Sequence, residues 1–175
     1  MEFPRTVARE KLRPLLVAVL VIVIPLVHLG CPLLLARAGP RWGWGGGYPT
    51  LMNLFGLLPV ILGLSLLGWI LITMLAVVPT LPSKVRLGLR PARLVQTGPY
   101  ARMRHPIYVA EGCFWLGMIV LLGSPVVAAV FACLALAGSR WIVRREERAL
   151  EEEFGEEYRA YRARVPALPY LRRAR

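Results

Sequence analysis

The sequence predicts an all-α fold: a polytopic membrane helical bundle of about four spanning helices, the third and fourth forming a tight hairpin, followed by a cytoplasmic C-terminal helix. Three observations carry that prediction. Hydrophobic residues fill 57% of the 175 positions, mean hydropathy is +0.56 and charged residues make up only 18%, which is more apolar than a soluble domain, where about half the residues are apolar. The apolar residues gather into four segments. The basic residues are unequally shared among the connections between them.

The first two segments, about Pro14 to Ala36 and Leu51 to Val78, each exceed the roughly 20 residues a spanning helix needs. A cleaved signal peptide ending at Ala36-Arg37-Ala38 competes for the first, but a signal core is shorter, roughly 7 to 15 residues, so the segment is expected to stay. The third segment, about Ile107 to Leu122, and the fourth, about Val126 to Val143, are separated only by Gly123, Ser124 and Pro125. That spacing predicts the hairpin. In the loop RWGWGGGYPT, Trp42, Trp44 and Tyr48 are expected as interfacial anchors. Isolated Cys31, Cys113 and Cys133 indicate neither a disulfide framework nor a metal site. His28, alone in the first segment, is expected as a hydrogen-bonded core residue.

Charge orients the bundle. Of 22 Lys and Arg residues, only Arg37 and Arg41 follow the first segment and none lies in the hairpin turn; the rest fall before the first segment, between the second and third, or from Arg140 onward. The positive-inside rule places both termini in the cytoplasm, here of a bacterial inner membrane. The net charge of +12 is therefore read as facing an anionic leaflet rather than nucleic acid. Residues 1–97 form an N-terminal membrane region and 98–175 a second unit.

After Arg140 the composition changes, with Arg and Glu intermingled at helical spacing, as in a solvated helix. Val143, Leu150, Phe154, Tyr158, Tyr161 and Val165 nevertheless form one apolar stripe, which Gly155 is expected to bend. Glu147 falls on that stripe, where a carboxylate needs a partner; Glu146 lies about 100° round the helix and reads as surface. The Pro-broken stretch GPYARMRHPIYVAEG brings Arg104, His105, Tyr108 and Glu111 to the same boundary. Ionisable groups at membrane depth mark a functional cavity by default.

This pattern, GPYARMRHPIYVAEG, a hairpin of about thirty residues, then REERALEEEFGEEYRAYRARVPALPYL, resembles the isoprenylcysteine carboxyl methyltransferases and their bacterial relatives, including membrane phospholipid methyltransferases, over residues 98 to about 171. The resemblance implies an S-adenosylmethionine-dependent methyltransferase with a cytoplasm-facing cofactor pocket and an acceptor arriving from the lipid. It maps the family's R-H-P onto Arg104, His105 and Pro106, its aromatic onto Tyr108, its paired acids onto Glu146 and Glu147, its F-G-x-x-Y onto Phe154, Gly155 and Tyr158, and its R-V-P onto Arg164, Val165 and Pro166. Ala110 and Glu111 stand where the family commonly has a glycine, which changes the shape expected there.

The residue types suit that cofactor, whose ammonium needs an acid, whose carboxylate needs a donor and whose sulfonium tolerates aromatic groups. Glu147 and Glu146, His105, and Tyr100, Tyr108 and Tyr158, with Pro106 shaping the backbone, are the expected cofactor-binding set. For a carboxylate acceptor, Arg104 or Arg164 would hold the oxygens; for an amine or thiol, Glu111 would take the proton. The sequence leaves both open and fixes no oligomeric state. The competing role for Glu147 is to pair with an arginine and hold the helix. Arg104 snorkelling to lipid phosphate, tyrosines of an interfacial belt and Pro106 starting a helix are the plainer alternatives. The acceptor is expected to be a lipid or a small hydrophobic molecule. Two other classes compete: an NADPH-dependent membrane reductase resembling sterol reductases, which are longer and usually have asparagine where this chain has Ile107, and a non-catalytic membrane scaffold.

Overall fold

The computed structural model describes residues 26–77 and 93–168. The start of the first predicted segment and the basic residues Lys84 to Arg90 lie outside the described residues. A π-helical turn at Leu26–Gly30 leads into α1 (Cys31–Leu35). The loop RWGWGGGYPT folds into a short antiparallel pair, β1 (Trp44–Gly45) with β2 (Tyr48–Pro49), the one strand pair among the described residues of a mostly helical fold. Then come α2 (Leu51–Leu54), α3 (Leu57–Val77), a 3-10 turn at Gly98–Ala101, α4 (Pro106–Leu122), α5 (Pro125–Phe154) and α6 (Glu156–Arg164).

Lipid, not water, is the solvent this surface fits. Along α3 large apolar side chains point outward, with Leu58, Ile61, Leu62 and Ile72 all exposed, and such a stripe would be insoluble in water but satisfied by hydrocarbon. Among the described residues two helical stretches, Leu51–Met74 and Pro125–Phe154, are long and apolar enough to cross a bilayer. The second predicted segment is therefore found almost as expected, with a break at Phe55 and Gly56. The third begins one residue early, at Pro106, and its 17 residues fall short of the usual span. The fourth does not stop at Val143. It continues as one helix of 30 residues, about 45 Å at 1.5 Å per residue, because nothing between Val143 and Phe154 breaks it. The charged helix predicted after the membrane is thus the end of α5, and only α6 is separate.

Asn53 secures the hairpin-turn end. Its side-chain oxygen accepts from the Thr50 backbone N–H at 3.3 Å and its amide donates to the carbonyls of Trp42 and Val120, joining the Trp42 loop, α2 and α4. The Trp44 indole donates to the Leu121 carbonyl, and Trp42 and Tyr48 stay exposed, as interfacial anchors do. The hairpin turn is built as its residues require. Gly123 ends α4 at φ 57°, and Ser124 caps α5 by accepting from the Val127 N–H, with Pro125 at the first helical position. Beneath it Ala36, Phe114, Met118, Leu122 and Val127 form the apolar core.

Helices α3 and α4 meet through glycines. A Cβ built on Gly117 would lie 2.5 Å from the Gly56 carbonyl oxygen, and one on Gly56 would lie 2.5 Å from the Gly117 oxygen. Small residues at such a crossing let backbones approach where lipid supplies no hydrophobic drive. Gly117→Val should force the pair apart and destabilise the fold by about 1 to 3 kcal/mol, read as a lower melting temperature in detergent micelles. Gly112→Ala, where a Cβ meets nothing within 4 Å, should leave it unchanged.

Candidate functional site

The hairpin returns the start of α4 to the charged end of α5, and there the polar residues converge. Pro106 is buried at the first position of α4, where its missing N–H costs nothing. His105 stands just before it, 4% exposed. Its Nε2 lies 3.1 Å from Glu147 Oε1 and its Nδ1 lies 3.7 Å from Glu146 Oε2. Arg104 donates to the same Glu147 Oε1 from Nε at 3.0 Å and from Nη2 at 2.6 Å. Tyr108 donates to Glu146 Oε2 at 2.9 Å.

Arg104 also reaches the C-terminal strap. Its Nη1 donates to the carbonyls of Val165 at 2.7 Å and Arg162 at 3.3 Å. The backbones pair as well, Arg104 N–H to the Pro166 carbonyl at 2.9 Å and His105 N–H to the Ala167 carbonyl at 3.3 Å. Gly155, at φ 51° and ψ −121°, breaks the helix outright and lets α6 fold back. The predicted stripe therefore survives in two pieces, with Leu150 and Phe154 on α5 packing against Tyr158, Tyr161 and Val165. Tyr161 donates to the Tyr100 carbonyl at 2.8 Å, which fixes the 3-10 turn beneath the strap.

Tyr158 is fully buried, and its hydroxyl has no hydrogen-bond partner among the described residues. Burial, reinforced by the Glu147 charge, pushes that phenol up to about 12. Burial and Glu146 likewise push Tyr100 to about 12. Both remain neutral donors at physiological pH. A buried O–H left without an acceptor is costly.

Two of the expected residues lie elsewhere. Glu111 is bonded through both oxygens, at 3.0 and 2.9 Å, to Nε2 of His28 in the π-helical turn, one turn deeper in α4 than Tyr108. His28 is thus hydrogen-bonded, as expected, and its partner is this second acid. Arg164 is exposed on α6, donating to the Ala160 carbonyl and to Gln96. Gln96, which also donates to Glu157, carried no signal in the sequence. Glu146, read as surface, proves to be held by Tyr108 because the start of α4 packs against its side of α5.

A family model for phospholipid methyltransferases matches residues 52–157. Protein-S-isoprenylcysteine O-methyltransferase of Mus musculus is 39% identical over 80 residues, covering 45% of this chain and 28% of the relative. The proteins of that name from Homo sapiens, 38% identical over 80 residues, and Schizosaccharomyces pombe, 36% over 74 residues, cover 28% and 31% of their own length. The chain thus spans less than a third of the curated relatives it matches. No solved structure matches.

Burial disfavours the charged form of His105, yet the hydrogen bonds to Glu146 and Glu147 outweigh it and raise its pKa. Both ring nitrogens face carboxylates, and both donate only when the ring is charged. The charged ring stabilises the fold fully below the ordinary value of about 6.5, and that contribution is lost as pH rises through the higher folded value. The melting temperature should therefore decline over that window, and His105→Gln should flatten the decline.

Proposed function

The chain belongs to the phospholipid methyltransferase family, and from that premise we propose that it is an integral membrane, S-adenosylmethionine-dependent methyltransferase acting on a lipophilic acceptor that reaches the site from the bilayer. We assign the chemistry to residues 98–175, and orient the bundle with both termini and the polar cluster on the cytoplasmic side. The observation that carries the reading is the cluster itself: His105, Glu146, Glu147, Arg104 and Tyr108 meet at the end of a lipid-facing hairpin, beside the buried hydroxyl of Tyr158. The family match lends nothing to the reductase or scaffold alternatives.

The donor set fits the cofactor. Its ammonium calls for a carboxylate, and Glu146, its side chain 46% exposed, has one oxygen on Tyr108 and offers the rest of the group. Contacts to Arg104 and His105 all fall on Oε1 of Glu147, which leaves Oε2 for the same task. Tyr158 and Tyr108 supply hydroxyls, and Tyr100 lines the floor under the strap. When bound, S-adenosylmethionine supplies the methyl group as an electrophile on a sulfonium. His105 and Arg104 orient the two acids, and the strap of residues 165–167 covers the Arg104 side of the cluster. Exclusion of water favours a displacement in which charge is lost.

Glu111 bears on the acceptor. Arg104 is committed to Glu147 and the strap, and Arg164 to Gln96, whereas Glu111 sits with His28 below Tyr108. We place the proton given up by an amine or thiol acceptor on this Glu111–His28 pair, a carboxylate already hydrogen-bonded to an imidazole.

Calorimetry on the detergent-solubilised protein should find binding of S-adenosylmethionine and none of NADPH. Glu146→Gln should weaken that binding roughly 10- to 150-fold, the equivalent of about 1.5 to 3 kcal/mol for a hydrogen bond to a charged group. Glu111→Gln should leave cofactor affinity at the wild-type value while transfer of labelled methyl into the membrane lipid fraction falls. Wild-type protein that binds no S-adenosylmethionine would overturn the assignment.

A further inference from the structure

The cluster occupies one side of α5; the other side carries a different pattern. Trp141, Arg144, Arg145 and Arg148 stand at i, i+3, i+4 and i+7, a spacing that puts all four within about 100° of arc on one helix face. All four are exposed. They line an open hollow of about 400 Å³. The Arg145 guanidinium stacks over the Trp141 ring, 5.2 Å from its centroid. Among the described residues no carboxylate lies within ion-pair distance of Arg144, Arg145 or Arg148, although the acids on the adjoining faces of this helix, Glu147 and Glu151, are both paired.

The order of residues along this face sets the depth at which it works. Nearer the hairpin turn, Leu134 faces outward in the same sector, 60% exposed; Trp141 follows, then the arginines, and Glu152 closes the stripe one turn later. Apolar, indole, then guanidinium is the sequence of environments met on leaving a bilayer, from hydrocarbon to interface to headgroup. Length agrees. From Pro125 to Arg145 the helix rises about 30 Å, the thickness of the hydrocarbon core.

We propose that the outward face of α5 at Trp141, Arg144, Arg145 and Arg148 is a binding site for the phosphate of an anionic membrane phospholipid. Three guanidiniums with no carboxylate partner among the described residues complement that phosphate, and planar forks match its oxygens. Trp141 and the apolar face below it accept the glycerol and acyl portion, which a free anion lacks. Because the same turn of α5 presents Glu146 and Glu147 inward, the bound headgroup holds the polar cluster at the level of the lipid phosphates. The inference does not depend on the methyltransferase reading, and its test reads no activity.

Full-length protein is reconstituted in nanodiscs of phosphatidylcholine with a minority of phosphatidylglycerol, then extracted, and the retained lipids are counted by native mass spectrometry. Wild-type protein should retain phosphatidylglycerol well above its share of the bilayer. An arginine near an anionic surface is worth roughly five-fold in affinity, so Arg144→Gln/Arg145→Gln/Arg148→Gln should abolish the enrichment, the single change Arg148→Gln should lower it, and the triple change to lysine should preserve part of it. Added inorganic phosphate should not displace the lipid. No enrichment in the wild type, enrichment that survives the changes to glutamine, or displacement by inorganic phosphate would overturn the proposal.

Discussion

The charged end of this protein hangs on the guanidinium of Arg104. It donates to Glu147 on α5 and to the carbonyls of Arg162 and Val165 on the returning strap, so one side chain at the foot of α4 joins three separate pieces of chain. Its side chain is 10% exposed and that of Glu147 16%. At such exposure, losing either partner leaves an unpaired charge away from water, a larger cost than the pair's own net attraction. The arrangement demands an arginine: lysine lacks the planar fork that reaches a carboxylate and two carbonyls at once.

That tie forms because the hairpin has nearly equal arms. About twenty residues separate His105 from the turn on one side and Glu146 on the other, so an antiparallel pair of straight helices must bring them to the same height. The turn therefore sets the site's geometry from the opposite end of the hairpin. Gly123, whose Cβ would collide with the Trp42 carbonyl, and Asn53, bonded to both Trp42 and Val120, are part of the site's support although they stand at its opposite end.

Most of the fold was legible because its signals are long. The apolar runs, the three-residue hairpin turn and the helical stripe all extend over many residues, and lipid leaves the backbone few alternatives to helix. A partner for Glu147 was foreseen, since a carboxylate on an apolar stripe requires one, but not that Arg104 supplies it alongside His105. What the sequence hid depends on distant packing. Charge composition ended the fourth segment near Val143, but composition changes the solvent a helix meets rather than its hydrogen bonds, and α5 runs on to Phe154. Gly155 has a positive φ that only the docking of α6 enforces. Gln96 bonds two residues more than sixty positions away, which no local pattern encodes.

A polar cluster at the edge of a membrane also has an electrostatic consequence. Against hydrocarbon the effective dielectric is low, so charge pairs act strongly there and unpaired charges are heavily penalised. The chain meets that constraint by pairing each acid: Glu147 with Arg104 and His105, Glu146 with Tyr108 and His105, and Glu111 with His28. Only the Tyr158 hydroxyl is left buried and unpartnered among the described residues. A neutral donor is the least costly group to leave waiting, because its desolvation penalty is a fraction of that of a carboxylate. The site can therefore be held ready by charges already balanced against one another, and a ligand entering it has to satisfy a hydroxyl and share carboxylates that are already oriented, without first having to break an ion pair.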